Sequence, residues 1–389
     1  MHRKNVFLGS ILLVAGCCIG AGMLGLPMAI LSFGFLPSLL PLFFAWAYMN
    51  VSGCMLLECS QGLNEDVHLM GLFEKTLGRW GKIACFILFA ILFYSLLTAY
   101  ISGTSIIITD AISQLFQINF SQTLGIFLVS TLLFFGIVFG VGEVDWLNRL
   151  FIFIMFGAYI ALMAFGLFQI DFENYSSISF NRQFFFSLPL FIISFGFQNL
   201  IPTLSGYLNR DKRKIFLSFF IGSAIALFLY LFFNFVIVGL ITKGATFSGS
   251  EEEFITRLFK HSPVLISLLV SVFSFFAIIT SLLSIAVSFV GFLSDTTKGD
   301  KNPVFYTLGV VIPPLCFALF NPNIFLLALR YGGGCSAVLL FGVLPTLALW
   351  KMRYGSSLNL QDKIVPGGKF ALILYLLFSF GIVGIDLYS

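Results

Sequence analysis

Ala15-Gly16-Cys17-Cys18-Ile19-Gly20-Ala21-Gly22-Met23, with Gly25 and Pro27 just beyond, interrupts the first apolar run of the chain. The glycines at 16, 20 and 22 weaken a helix near its middle, where a continuous one would be expected to run on. A second interruption lies far downstream. Ser194-Phe195-Gly196-Phe197-Gln198-Asn199, followed by Pro202, again sets a glycine and polar side chains inside an apolar run. The position of these two breaks decides the fold.

The runs around them are membrane spans. Of the 389 residues 59% are hydrophobic and only 10% charged, and the mean hydropathy is +1.03. A chain of that composition is solvated largely by lipid. A crossing needs roughly 20 apolar residues. Stretches of about that length fall at 6–31, 34–58, 82–108, 122–141, 147–169, 183–208, 214–241, 263–293, 303–320, 322–350 and 369–388. The polar intervals near 59–81 and 242–262 are too short for an ordinary soluble domain, which excludes a separate catalytic one. The first run is too long for a signal-peptide core and is followed at once by another span, so it reads as a mature helix.

Charge fixes an orientation for this arrangement. With the N-terminus cytoplasmic, sixteen of the 21 Lys and Arg residues fall in inner loops. Only Arg182, Lys243, Arg257 and Lys260 fall outside, and Arg330 lies within a span. The positive-inside rule therefore gives a cytoplasmic N-terminus and an external C-terminus. The net charge of +4 is this loop bias and implies no nucleic-acid partner. Segments 66–82 and 251–261 mix apolar and charged residues as surface helices do.

The first and sixth spans are equivalent if 6–169 and 183–350 are two five-helix repeats, with 369–388 as an extra helix. Five is odd, so such repeats enter the membrane from opposite sides, an inverted architecture common among secondary transporters. A broken helix exposes N–H groups at the start of its second half and C=O groups at the end of its first. In hydrocarbon these need a ligand, water or another helix. An amino acid has the matching polarity. Its carboxylate suits the N–H groups near Gly20, Ala21 and Gly22, and its ammonium the carbonyls near Ala15, Gly16 and Phe195. Close helix packing is the alternative use of the same glycines.

Other functional classes find little support. The three histidines, His2, His68 and His261, lie in loops, which leaves no paired His for a membrane enzyme. The seven cysteines show no CxxC spacing and behave as small apolar residues. No cofactor or metal is indicated. Rings of charge or repeated filter segments, as in channels, are missing from the sequence.

At the interrupted segments the chain resembles the hydroxy and aromatic amino acid permeases, which include tyrosine- and tryptophan-specific transporters. The resemblance is carried by Gly16-Cys17-Cys18-Ile19-Gly20-Ala21-Gly22-Met23-Leu24-Gly25-Leu26-Pro27 and Leu56-Leu57-Glu58. It continues in Leu188-Pro189, Ser194-Phe195-Gly196-Phe197-Gln198, Ile201-Pro202, Tyr207-Leu208 and Leu344-Pro345. It implies an all-α LeuT-type fold of eleven spans, ion-driven uptake of an amino acid, and a bacterial cytoplasmic membrane. The chain departs from the family pattern at Gln198, where His is usual, and near Asn234, where an acidic residue is common.

These readings yield candidate residues. Backbone recognition of substrate falls to Ala15, Gly16, Cys17, Gly20, Ala21, Gly22, Ser194 and Gly196, and an aromatic pocket to Phe195, Phe197, Gln198 and Tyr94. Arg330 and Asp110 form a candidate external gate, with Asp171 and Glu173 as other acids on that side and a static or snorkelling Arg as the alternative. For a coupling proton the candidates are Glu58, Glu143 and Asp145. For sodium, the alternative ion, they are Ser281, Ser284 and Ser288 with carbonyls of the broken first helix.

Overall fold

A computed structural model describes residues 6–20, 22–63, 68–139, 141–176, 182–240, 264–296, 303–355 and 363–387. The regular elements among these residues are all helical, and no strand occurs among them. Eight helices are long and apolar enough to cross a membrane, and three shorter apolar ones lie at Val6–Cys18, Gln122–Val138 and Val304–Phe320. The elements are α1 (Val6–Cys18), α2 (Gly22–Ile30), α3 (Phe35–Gly62), α4 (Leu69–Leu77), α5 (Arg79–Phe116), α6 (Gln122–Phe139) and α7 (Val141–Gly166). Then come α8 (Arg182–Phe186) and α9 (Leu188–Ile193) before the second interruption, and α10 (Ile201–Tyr207), α11 (Lys212–Leu240), α12 (Val264–Thr296) and α13 (Pro303–Phe320) after it. The last two are α14 (Phe325–Tyr354) and α15 (Gly368–Leu387).

Both expected breaks occur. α1 stops at Cys18 and α2 restarts at Gly22, and around the gap the Met23 N–H reaches only to Gly20 O, 3.0 Å away. In the second, the N–H groups of Phe195 and Gly196 bond the carbonyls of Ile192 and Ile193, three residues back, at 3.0 Å each. A turn at Gln198–Leu200 then leads into α10, with Pro202 in its first turn, where a missing N–H costs nothing. Shortened hydrogen bonding at both places leaves mid-helix backbone groups for other partners.

Some boundaries differ from the sequence expectation. The span expected at 82–108 is the longer α5, because its polar flanks continue the helix. The surface helix expected over 66–82 is shorter, α4, and buries Leu69, Leu72, Phe73 and Thr76. Gly78, at φ +82°, ends it by donating to Glu74 O at 2.9 Å, and Trp80 then opens α5, largely exposed. Glycine is suited to that left-handed turn. The second expected surface helix, 251–261, lies outside the described residues.

α14 departs from a regular α-helix. Ala328–Cys335 and Val338–Val343 are π-helical, a wider winding usually confined to short functional segments. Gly332 and Gly334 within the first permit close contact, since a side chain on either would collide with Ser95 of α5 or with Pro189 of α9.

α15 is fastened to α3. Tyr48 and Tyr375 stack with ring centroids 4.4 Å apart, and Tyr375 Oη donates to Tyr48 O at 2.9 Å. Ser379 Oγ donates to Tyr375 O at 2.8 Å, so its 2.7 Å contact with Tyr48 Oη is donated by the tyrosine. Every hydroxyl in this buried group is satisfied, as a lipid-surrounded bundle requires.

Candidate functional site

The two breaks meet. Tyr230 of α11, fully buried, lies with its Oη 2.5 Å from Cys18 O and 3.0 Å from Ser194 O. Those carbonyls end α1 and α9, so two helix C-termini, each with partial negative charge, converge on one phenolic hydroxyl. A hydroxyl has a single proton to share between them. Phe195 sets its ring edge-on to that of Tyr230, with centroids 5.4 Å apart. The convergence therefore has an unmet capacity to accept hydrogen bonds.

Glycines make this approach feasible. A Cβ on Gly22 would lie 2.5 Å from Tyr230 Oη and 2.6 Å from Ser194 Oγ, and one on Gly20 would lie 2.6 Å from Ser281 Oγ of α12. Tyr100 Oη of α5 is 3.8 Å from that same point. Thus the first break is enclosed by α5, α9, α11 and α12. Ala21, between the two glycines, lies outside the described residues.

The two sides of the breaks differ. Toward α2 and α9 the packing is tight: Met23, Leu26, Leu190 and Ile192 are buried, and Leu190 and Leu329 close on Gly25. Toward α1 and α10, Cys17 reaches across with its Sγ 3.3 Å from Gly196 O, yet it is exposed, as are Gly16, Asn199 and Thr203. These exposed residues mark the α1 and α10 side of the breaks.

The candidate residues sort by this geometry. Gly20, Gly22, Ser194, Phe195 and, at the open edge, Cys17 and Gly196 are brought together. Ala15 is buried beside them, but its carbonyl is taken by the Ile19 N–H at 2.9 Å. Ser194 Oγ donates to Leu190 O on its own helix, at 2.8 Å. Gln198 is turned away: its amide donates to Met49 O at 3.0 Å and accepts from the Phe197 N–H at 3.0 Å. Phe197 stacks on Phe219 at 5.3 Å and covers Gly53, so it joins α3 to α11. Tyr94 donates to Gly309 O of α13 at 2.9 Å. The α5 aromatic at the break is Tyr100, six residues on, which at about 100° per residue faces another direction.

Glu58 is held in a closed cluster. Its carboxylate takes two 2.6 Å hydrogen bonds from Arg353 and the N–H groups of Ile364 and Val365 at 2.8 and 3.0 Å. Arg353 also donates to Val365 O at 2.8 Å, and both side chains are 1% exposed. This clamp joins the end of α3, the end of α14 and the lead-in to α15. The carboxylate expected to carry a coupling proton is thus engaged by four donors. The side chains of Glu143 and Asp145 lie outside the described residues.

Of the three candidate serines on α12, only Ser281 approaches the break. Ser284 and Ser288 are exposed and donate to Thr280 O and Ser284 O of their own helix, both at 2.8 Å. The Arg330–Asp110 pairing is not formed by the register of α5 and α14. Gly332 packs on Ser95 and Phe325 on Gly103, which sets Arg330 near the level of Leu97. Asp110 is then roughly 20 Å farther along α5 at 1.5 Å per residue. Asp171 accepts the Glu173 N–H at 2.9 Å. Arg330 instead lies over the Phe186 ring, 4.8 Å from its centroid.

Residues 3–386 match the model of the tryptophan/tyrosine permease family. The chain belongs to that family. This permease is 33% identical over 386 residues to Tyrosine-specific transport system 1 of Haemophilus influenzae, covering 96% of this chain and 94% of the relative. It is 29% identical to the Low affinity tryptophan permease of Proteus vulgaris, covering 98% and 94%. Its fold is that of MhsT, solved in complex with L-phenylalanine, with a TM-score of 0.66 at 14% identity over 98% and 97% of the two chains. The permease is thus an all-helical, multi-pass membrane protein of LeuT-type fold.

Tyr100 and Tyr230 were missed by the sequence reading. A tyrosine in an aromatic-rich span carries no local mark, and the one available signal was spacing from Gly20 and Gly22 that only the folded chain supplies.

Proposed function

We propose that this permease is a secondary active transporter importing aromatic amino acids, and that it carries its substrate without chemical change. The observation supporting a zwitterionic substrate is the meeting of Cys18 O and Ser194 O on Tyr230 Oη, beside the start of α2. The ammonium finds two helix C-termini, and the carboxylate the N–H groups at the start of α2. Phe195 and Tyr100 are the aromatic neighbours of this position, and the names of the relatives support tyrosine, tryptophan or phenylalanine.

The two halves, 6–169 and 183–350, are proposed as inverted repeats whose broken first helices meet at the substrate, with α15 as an added helix. The membrane is taken as the bacterial inner membrane, with the N-terminus cytoplasmic from the Lys and Arg bias. The exposed α1 and α10 side of the breaks then faces the cytoplasm.

Proton coupling is the first reading of the driving ion, with Glu143 and Asp145 as carriers now that Glu58 is engaged. Sodium is the second, favoured by Ser281 Oγ lying against Gly20, where hydroxyl and carbonyl oxygens suit a hard cation. Uptake into proteoliposomes, with competition by the twenty amino acids, tests the substrate. Saturable accumulation inhibited by Tyr, Trp or Phe is expected, and flux that only equilibrates overturns the transporter. Accumulation under an imposed pH gradient without sodium is expected, and dependence on a sodium gradient overturns the proton reading.

A further inference from the structure

A groove of about 740 Å³ runs between α8 and α15, lined by Arg182, Phe185, Phe186, Gly381, Gly384 and Ile385. The turning of the two helices explains this lining. Phe184 is buried with its ring edge-on to Phe33, centroids 5.5 Å apart, which leaves Arg182 and Phe185 on the exposed side of α8. On α15 Ile382 is buried, whereas Gly381, Gly384 and Ile385 share another face at i, i+3 and i+4. A Cβ on either glycine would meet no described atom within 4 Å, so no neighbouring helix among the described residues fills the groove there.

The lining is graded along the membrane normal. α8 begins the sixth span and α15 ends the last one, and the shared groove puts those two ends on one side of the membrane. Arg182 and Ile385 therefore stand at the mouth, with Phe186 and Gly381 about 6 Å deeper at 1.5 Å per residue. Charge lies at the rim and apolar surface below it. No acidic residue lines the groove, and within the described residues the Arg182 side chain enters no ion pair. A molecule with an anionic end and an apolar body matches that order. The guanidinium fork suits a phosphate, and glycines let an acyl chain lie close against a helix.

We propose that this groove binds one anionic phospholipid, its phosphate on Arg182 and an acyl chain along Gly381 and Gly384 against the two phenylalanines. In the orientation proposed above this is a lipid of the outer leaflet. Phe186 carries its effect inward. The ring that lines the groove also seats the Arg330 guanidinium, 4.8 Å from its centroid, so an acyl chain packed there braces α8 between α15 and α14. The site depends on the membrane placement of the chain and on neither the substrate nor the driving ion.

The test is native mass spectrometry of the purified full chain released from nanodiscs of phosphatidylcholine and phosphatidylglycerol in equal parts. A phosphatidylglycerol with a diazirine on its acyl chain maps the contact by crosslinking. The wild type is expected to retain one phosphatidylglycerol, crosslinked to α8 or α15. Arg182→Gln should weaken retention at least about fivefold, the effect of one cation beside anionic lipid, and Arg182→Lys should weaken it less. Gly381→Leu keeps the charge, has room for its side chain and should abolish the crosslink. Size-exclusion profiles check that each variant is folded. Equal retention of the two lipids, unchanged retention by folded Arg182→Gln, or an undiminished crosslink in folded Gly381→Leu overturns the proposal. Displacement of the lipid by equimolar inorganic phosphate identifies a free anion as the occupant and also overturns it. So does a crosslink of α15 to a second copy of the chain in place of lipid.

Discussion

Tyr230 joins Cys18 to Ser194, tying the end of α1 to the end of α9 through one hydroxyl at 2.5 and 3.0 Å. Removing that oxygen takes away the one donor these two buried carbonyls share, at about 1–3 kcal/mol. Tyr230→Phe is therefore expected to lower uptake by roughly 10-fold or more, since ~1.4 kcal/mol is a factor of ten. Membrane insertion should be retained. Initial uptake rates normalised to protein in the membrane check this, and a wild-type rate removes Tyr230 from the site.

Glycine substitutions should divide by position. Gly22→Ala pushes a methyl group into Tyr230 and Ser194, whereas Gly16 has nothing within 4 Å of a built Cβ. Uptake is expected to be lost in Gly22→Ala and kept within about twofold in Gly16→Ala, because only the first meets close-packed atoms. Equal loss in both would show that helix weakening, common to the two, matters more than contact.

Gln198 is expected to affect stability and not substrate choice. Gln198→Ala frees Met49 O and the Phe197 N–H, so the thermal midpoint should fall. The order of inhibition by Tyr, Trp and Phe should stay as in the wild type, and should change in Tyr100→Leu. A reordering in Gln198→Ala with no change in Tyr100→Leu reverses these roles.

Breaking the Glu58–Arg353 pair should be more harmful than replacing it. Glu58→Gln or Arg353→Met leaves a buried charge without its partner, at about 3–5 kcal/mol, whereas the double variant removes both charges. Denaturation of the three variants in detergent is expected to rank the double variant above either single one. Additive losses would show that the two side chains act separately.

Local sequence carried the breaks well, because glycine clusters and Pro202 act on the backbone where they stand. That two separate runs are broken was also legible, from their glycines. Side-chain direction was not. Tyr94 and Tyr100 are equally aromatic and lie in one span, and only the rotation of α5 against its neighbours distinguishes them. The partners of Glu58 were hidden because Arg353 is 295 residues away and the remaining donors lie in the segment before α15. Gln198 was assigned to the pocket on the sound rule that a buried amide needs partners, but Met49 supplies them.

The π-helical winding of α14 has a mechanical meaning. A π turn holds more residues than an α turn, so Ala328–Cys335 and Val338–Val343 carry slack in a helix otherwise fixed in length. One end is moored by Arg353, and the slack begins two residues before Arg330. Rewinding toward α-helical geometry would turn the end bearing Arg330 about the helix axis while the moored end stayed in place. α14 is in that sense a swivel, and deleting one residue within 328–343 should re-aim the guanidinium without unfastening the helix.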